Sequence, residues 1–409
     1  MTPEPKLRVL QCPVGQAGQP LAFARALRKL GHEADVVNVT PHKFGYEADY
    51  VLGGPGSEIE RNLGFLRGAI DRYDVFHFHA RPFLWPDVTL MTFPAAWDIP
   101  LLKAAGKRVV YHFRGQEART AEAFRRVNPY HYVDEGAGQL FQRFPDEQKR
   151  LFVEFVSSIA DVVLANDPEI RSYVPSATVV PRAIDLDEWT MVGPVSDEEP
   201  LIVHAPSRRG VKGTDAVRAA VARMQRDGLR FRFRLVEGLS NAEARQILEQ
   251  ADIVVDQLRI GWYGVLAVEA MALGKPVVVY IRSDLVNELP SELPVANATP
   301  ETIEPVLREL VGDAVKRKEL GSRGREYCER IHDSVKVAEK LVPLYMGDPR
   351  PMTGEDWSAV ERFIAYQLEA AGRRLPALIR RAFSVWREGG TRLLAEKARE
   401  RRARRRPPD

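Results

Sequence analysis

The stretch "GWYGVLAVEAMALGKPVVVY", residues 261–280, decides how the chain is read. It follows one short β-branched run, "DIVVDQL" (252–258), and runs into another, "KPVVVYI" (275–281). Two glycines, Gly261 and Gly264, bracket a pair of aromatics, and an apolar run with helical length follows. The order is strand, glycine turn, helix, strand, and a bare βα unit does not need the one carboxylate that it carries, Glu269. N–H groups at a helix start, approached through glycine, make an anion site. Gly264 lets a phosphate near the main chain with no Cβ in the way. A carboxylate about one turn in does not favour phosphate by charge, but it accepts two hydrogen bonds from a vicinal diol such as ribose. The pair therefore predicts diphosphate beside ribose. On physics alone another reading stays open: a glycine for tight packing and a carboxylate that favours the helix dipole.

Outward from this stretch, strand and helix patterns alternate along most of the chain. "LRVLQCP" is a strand, "VGQAGQP" (14–20) a glycine-bearing turn, "PLAFARALRKLG" a helix and "EADVVNV" a strand. "DVFHFH" (74–79), "KRVVYHFRG" (107–115) and "ADVVLAND" (160–167) are further strands, with "IPLLKAAG" a helix before the second of them. After the turn-rich, acidic segment 190–200 a second series begins with "LIVHAPS" (201–207). Alternating βαβ units predict parallel, doubly wound sheets. The expected organisation is a first domain over 1–189, a linker over 190–200, a second domain over 201–350, and a helical appendix over 351–409. Two such domains leave a cleft, and open α/β sheets bind ligands beyond the carboxyl ends of their strands.

The length of 409 residues fits two domains. Hydrophobic residues make up 45% and charged residues 28%, as in soluble globular proteins. Cys12 and Cys328 form no disulfide framework and no metal cluster, so a reducing cytoplasm is the expected home. No signal peptide or membrane-spanning run is visible in the sequence. The eight histidines show no HxxxH or HExxH spacing, so no zinc site is expected.

A second anion signal stands at the head of the second series. "VHAPSRRGVKGTD" sets Arg208, Arg209 and Lys212 just after a strand, at the same mouth of the sheet as Gly264. Arginine grips phosphate oxygens with two donors and lysine supplies a point charge. A solvated basic loop is the commoner fate of such a run.

The run "GVLAVEAMALGKPVV" resembles the "GLPVLEAMACGTPVV" type of stretch in retaining nucleotide-sugar glycosyltransferases of the GT-B fold. The resemblance extends over residues 7 to 345, with "DVFHFH", "GKRVVYHFRG", "VVPRAIDLDEW" and "APSRRGVKG" in the family's order. It implies two Rossmann-like domains facing a cleft, and sugar transfer from a nucleotide donor, commonly a UDP- or GDP-sugar, with retention and without a bound metal. Carried over, Glu269 contacts the ribose, and the backbone of Gly264, Val265 and Leu266 forms the diphosphate loop. Arg208 or Arg209, with Lys212, neutralises the leaving phosphates; Arg208 is the residue taken. Gly15 and Gly18 match the glycine-bearing loop of the first domain that approaches donor or acceptor.

Two departures from the family pattern stand out. Its first glutamate lies eight positions before the second, where this chain has Gly261. A frequent "FHG" reads "FRG" here, so Arg114 replaces a histidine near the transferred sugar, and His112 lies two residues back on the same strand face. In a transfer where the departing phosphate takes the acceptor proton, Arg208, Lys212 and Arg114 would stabilise the growing charge. Glu117 is a candidate for an acceptor hydroxyl. Asp185 and Asp187 imitate a metal-binding DxD but fall in a loop the family uses structurally.

The last residues carry most of the charge asymmetry. Gly372–Asp409 holds thirteen Arg/Lys against four Asp/Glu, whereas the whole chain is only +3. Leu375, Leu378, Ile379, Ala382, Phe383 and Trp386 recur at helical spacing among arginines. A basic helix with such a face suits an anionic membrane surface, and residues 356–372 suit a helix crossing back to the first domain. Nucleic acid is not an expected partner. The reading is a bacterial, cytoplasmic glycosyltransferase resting on the inner face of the plasma membrane, with a cell-envelope, lipid-linked or small-molecule acceptor. Its rivals are a catalytically silent GT-B scaffold and a nucleotide-sugar epimerase.

Overall fold

The computed structural model describes residues 6–42, 44–53, 58–84, 95–288 and 293–370. Most of the aromatic loop 80–97 and the basic tail from residue 371 onward lie outside these described residues.

Seven strands form the first sheet: β1 (Arg8–Cys12), β2 (Glu33–Asn38), β3 (Tyr50–Val51), β4 (Val75–His79), β5 (Arg108–Phe113), β6 (Val162–Ala165) and β7 (Thr178–Val179). All are parallel, in the order β3-β2-β1-β4-β5-β6-β7. Five strands form the second: β8 (Leu201–His204), β9 (Arg232–Leu235), β10 (Ile253–Val255), β11 (Val277–Val279) and β12 (Ala296–Asn297). They too are parallel, in the order β12-β11-β10-β8-β9. The first order is that of a dinucleotide-binding sheet and the second that of a flavodoxin-like sheet. Both are the doubly wound sheets expected from the sequence.

The order fixes where a ligand site forms. The strand order reverses between β1 and β4 in the first sheet and between β8 and β10 in the second, and crevices open at such switch points. The loops after β8 and β10 hold Arg208–Lys212 and Asp256–Gly264. The loop after β1 holds Gly15 and Gly18, and β4 itself ends on His79.

Alternation along the strands divides the first core into two faces. One face buries Leu10, Phe76, Phe78, Val109, Tyr111 and Phe113. The other buries Val9, Val36, Val75, Val110 and Leu164 against Phe23 and Leu27 of the helix Gln19–Lys29.

The chain returns to the first domain earlier than the sequence suggests. The helix Ser334–Tyr345 buries Val337, Ala338, Leu341 and Tyr345 against the Val9 face, so the crossing falls near Asp333 rather than after residue 350. A further helix over 354–370 then covers the opposite face with Val360 and Phe363. Sequence periodicity misses this because an apolar stripe does not say which domain covers it. The reading also passes over the helices Glu58–Arg72 and Asp146–Ile159, which pack on the first sheet. No helix among the described residues is long and apolar enough to cross a membrane.

Candidate functional site

A cavity of about 600 Å³ lies between the domains, within the size range of small-molecule sites. Its walls include Gly18 and Tyr46 from the first domain and Trp189, Asn241, Val265 and Glu269 from the second side. The helix Val265–Ala272 opens on this cavity with Gly264 as its N-cap. The N–H groups of Val265, Leu266 and Ala267 donate to no acceptor among the described residues, as the first turn of a helix leaves them free. Glu269 follows one turn on. Burial raises its pKa to about 7, an effect that the Asn241 hydrogen bond opposes and Asp256 reinforces.

Asn241 connects this carboxylate to the first domain. Its Nδ2 donates to Glu269 Oε1 at 3.1 Å and to the Tyr46 hydroxyl at 3.0 Å, and its backbone N–H donates to Phe44 O at 3.0 Å. Ser240, which precedes it, closes a capping box with Glu243, so the helix Asn241–Glu249 presents Asn241 rigidly. Gly18 sits at φ +72°, and a Cβ there would come within 2.8 Å of the Tyr46 ring. Its backbone and its missing side chain are both required for this approach.

The corner where the sequence predicts a diphosphate differs from the expectation. Gly264 N–H is already taken: it donates to Asp256 Oδ2 at 2.5 Å. Lys212 Nζ donates to Asp256 Oδ1 at 2.8 Å and to Gln257 Oε1 at 2.6 Å. A Cβ on Gly264 would lie 2.9 Å from Asp256 Oδ2 and 3.2 Å from Lys212 Nζ. The glycine thus admits a carboxylate of the chain itself beside the lysine. The free donors begin one residue later, at Val265. Arg208 is exposed and makes no ion pair among the described residues, whereas Arg209 is paired with Glu237. That favours Arg208 of the two. The turn carrying them is covered by the first domain: Gly210 lies against Ala137, and Arg259 donates to Tyr130 O and His131 O.

Gly261 is explained by its own surroundings. It adopts φ +94°, and a Cβ would meet Arg282 Cγ at 2.7 Å. No side chain fits where the family places its first glutamate.

Arg114, His112 and Glu117 belong to a second group, on the first domain. Arg114 Nη2 donates to His79 Nδ1 at 2.6 Å, and its guanidinium lies over the Phe23 ring at 5.4 Å. Burial, then Arg182, lowers its pKa to about 9, which leaves it a cation at neutral pH. Arg182, missed in the sequence, pairs with Asp167 at 2.8 Å and faces Tyr263 of the second domain. His112 is fully buried and stacks on His77, so it is a packed strand histidine without access to the cleft. Glu117 Oε1 accepts the main-chain N–H groups of Arg114 and Gly115, which makes it a turn-former; it also lines a small apolar cavity with Phe144, Lys149, Phe152 and Phe363. Gly15 packs on Asn38, where a Cβ would come within 2.9 Å. Among the described residues no hydrogen bond or ion pair joins Arg114 to Lys212. Asp185 and Asp187 are both held by Lys29, the structural use expected of them.

Histidine spacing gave no sign that His77, His79 and His112 would meet, because they come from two strands. One ring nitrogen of each lies within 4.8 Å of the others. Two nitrogens on one zinc are at most about 4 Å apart, since each Zn–N bond is about 2.0–2.1 Å. The rings of His77 and His112 are also parallel to within 2°, so their lone pairs do not converge. The trio as it stands does not fit a zinc ion.

No family model matches the sequence, and no curated protein matches it. Solved structures do match. A sucrose-phosphate synthase from Thermosynechococcus elongatus is 15% identical, with a TM-score of 0.55, over 83% of this chain and 98% of that one. A glycosyltransferase from Rickettsia africae is 12% identical, with a TM-score of 0.56, over 83% and 98%. Anabaena HepE in complex with UDP-glucose is 15% identical, with a TM-score of 0.56, over 82% and 98%. At such identities the likeness speaks for architecture. With the two switch-point sheets, the intervening cavity and the returning C-terminal helix, it shows that the chain has the GT-B fold of nucleotide-sugar glycosyltransferases.

Proposed function

We propose that the protein is a glycosyltransferase that takes a sugar from a nucleotide donor bound on the second domain. The observation that carries this reading is Glu269, buried on the cavity wall one turn beyond three N–H groups without acceptors. Ribose hydroxyls would replace Asn241 on that carboxylate. The diphosphate would lie on the N–H groups of Val265 and Leu266, with Arg208 free to move in and Lys212 behind. Such fixed donors stabilise charge that grows on a departing phosphate. Arg114 would act on the sugar side from the first domain.

UDP is the favoured nucleotide, supported by HepE, whose structure holds UDP-glucose. Retention and metal-independent transfer follow from the family resemblance alone. The acceptor would be a cell-envelope, lipid-linked or small molecule, met at the inner membrane face through the basic residues after 371.

A thermal-shift screen against UDP-, GDP-, ADP- and TDP-sugars, on the native chain and Glu269→Ala, tests the reading. One nucleotide class should stabilise the native protein and stabilise the variant less. Silence from both would refute it.

A second reading is favoured by Asp256. A carboxylate against Lys212, together with the loss of a side chain at Gly261, suits a GT-B protein that binds nucleotide but does not turn it over. Donor binding without hydrolysis or transfer, with and without membrane extract, would support it.

A further inference from the structure

The Val9 face of the first sheet is apolar at the start of its strands and polar at their ends. Gln11, His77, His79 and His112 follow Val9, Val75 and Val110 on the same side, and parallel register sets Gln11 beside His77 and His79 beside His112. All four are fully buried.

The hydrogen bonds of His79, Gln11 and His77 form one chain with a fixed direction, whereas neither ring nitrogen of His112 has a hydrogen-bond partner among the described residues. A guanidinium only donates, so His79 Nδ1, 2.6 Å from Arg114 Nη2, must accept. A neutral imidazole with Nδ1 bare carries its proton on Nε2, and that nitrogen lies 2.7 Å from Gln11 Oε1. The amide's other end, Nε2, donates to the Tyr345 hydroxyl at 3.4 Å. Tyr345 then directs its own proton at His77 Nδ1, 2.7 Å away. Burial first, then neighbouring histidines and Arg114, holds the His79 pKa well below its usual value, so the imidazole is neutral and can accept. The same direction puts a proton on His77 Nε2, which removes that atom as a metal ligand.

We infer that His79 is a positioning residue for Arg114, oriented through Gln11 by Tyr345 of the helix that returns from the second domain. This rests on the reading of Arg114 as a group that acts on the donor in the cleft. Among the described residues Arg114 has no carboxylate partner in its side-chain hydrogen bonds. The imidazole fixes one guanidinium nitrogen, and the Phe23 ring supports its face. Tyr345 belongs to the helix Ser334–Tyr345, so the seating of that helix sets where the cation points. A displacement of about 1 Å at such a group can cost roughly 100-fold in rate.

Two measurements on the full chain test this. With ¹⁵N-labelled histidine, His79 should show a bare Nδ1 and a protonated Nε2 at neutral pH. The Nδ1 signal should move in Arg114→Ala. A proton on Nδ1, no change in that variant, or a zinc-induced shift of these resonances would overturn the inference. In steady-state kinetics with the nucleotide sugar that stabilises the protein, His79→Phe should lower kcat at least tenfold and leave KM within about twofold. His79→Asn, which keeps an acceptor near the Nδ1 position, should recover most of that loss, and Tyr345→Phe should lie between. Equal loss in the Phe and Asn variants, tracking a lowered Tm, would reduce His79 to packing and defeat the proposal. If the native chain binds no nucleotide sugar, the functional reading fails, while the tautomer measurement still decides the hydrogen-bond chain.

Discussion

Asp256 Oδ1 stands 2.8 Å from Lys212 Nζ, inside the corner where a diphosphate would meet the second domain. For a diphosphate bound there, the pair would be an internal competitor. The lysine's charge is already met, and the carboxylate would face an incoming anion. Asp256→Asn keeps an acceptor for Gly264 N–H and removes the charge. UDP should then bind about tenfold more tightly, or about 1.4 kcal/mol. Isothermal titration of both proteins decides it; unchanged or weaker binding would mean that the diphosphate lies elsewhere.

Glu269 should make donor binding pH-dependent. With its pKa near 7, the carboxylate proposed to accept two ribose hydroxyls is mostly protonated at pH 6 and mostly ionised at pH 8. UDP-glucose, whose diphosphate does not titrate in this range, should bind roughly tenfold more tightly at pH 8 than at pH 6. The stability sign is opposite. The folded state holds this proton more tightly than the unfolded chain, so the group's contribution to stability falls as pH rises from about 4.5 to about 7. Glu269→Gln should flatten both profiles; pH-independent affinity in the native protein would contradict the ribose role.

Restoring the family's missing glutamate should harm the protein. Gly261 holds φ +94° with Arg282 Cγ where a Cβ would be, so Gly261→Glu forces a strained backbone and displaces a buried arginine. A loss of about 1–3 kcal/mol is expected, visible as a lowered Tm and denaturation midpoint. A variant as stable as the native chain would show that Arg282 moves aside freely.

The buried pair Arg119–Glu169, two-pronged at 2.8 and 2.6 Å, anchors the loop after β5 that carries Arg114. Glu169→Ala leaves the arginine charge buried and should cost about 3–5 kcal/mol. Removing both partners, as Arg119→Met with Glu169→Leu, should cost much less than the two single changes together. Additive losses in urea unfolding would deny the coupling.

The sequence by itself determined the two doubly wound halves, the helix beginning at the Gly264 turn, the cavity-facing Glu269, and the positions of Arg208 and Lys212 after a strand. Periodicity and glycine placement are local, and the register of a βαβ unit follows from them. It also identified Gly261 as a departure, though not why. Only the tertiary structure decided what each charge meets. Asp256 reads as the polar end of a strand until the fold brings it onto Lys212 and Gly264. Asn241 and Tyr46, 195 residues apart, join only when the cleft is assembled. His77 and His79 alternate visibly, but the Tyr345 hydroxyl that meets His77 comes from a helix that crosses between domains, and His112 stacks on both from another strand. Hydrogen bonds of this kind depend on three-dimensional register rather than on spacing along the chain. The same is true of the crossing itself, because burial of an apolar stripe is non-directional and any domain with a matching face can supply the partner.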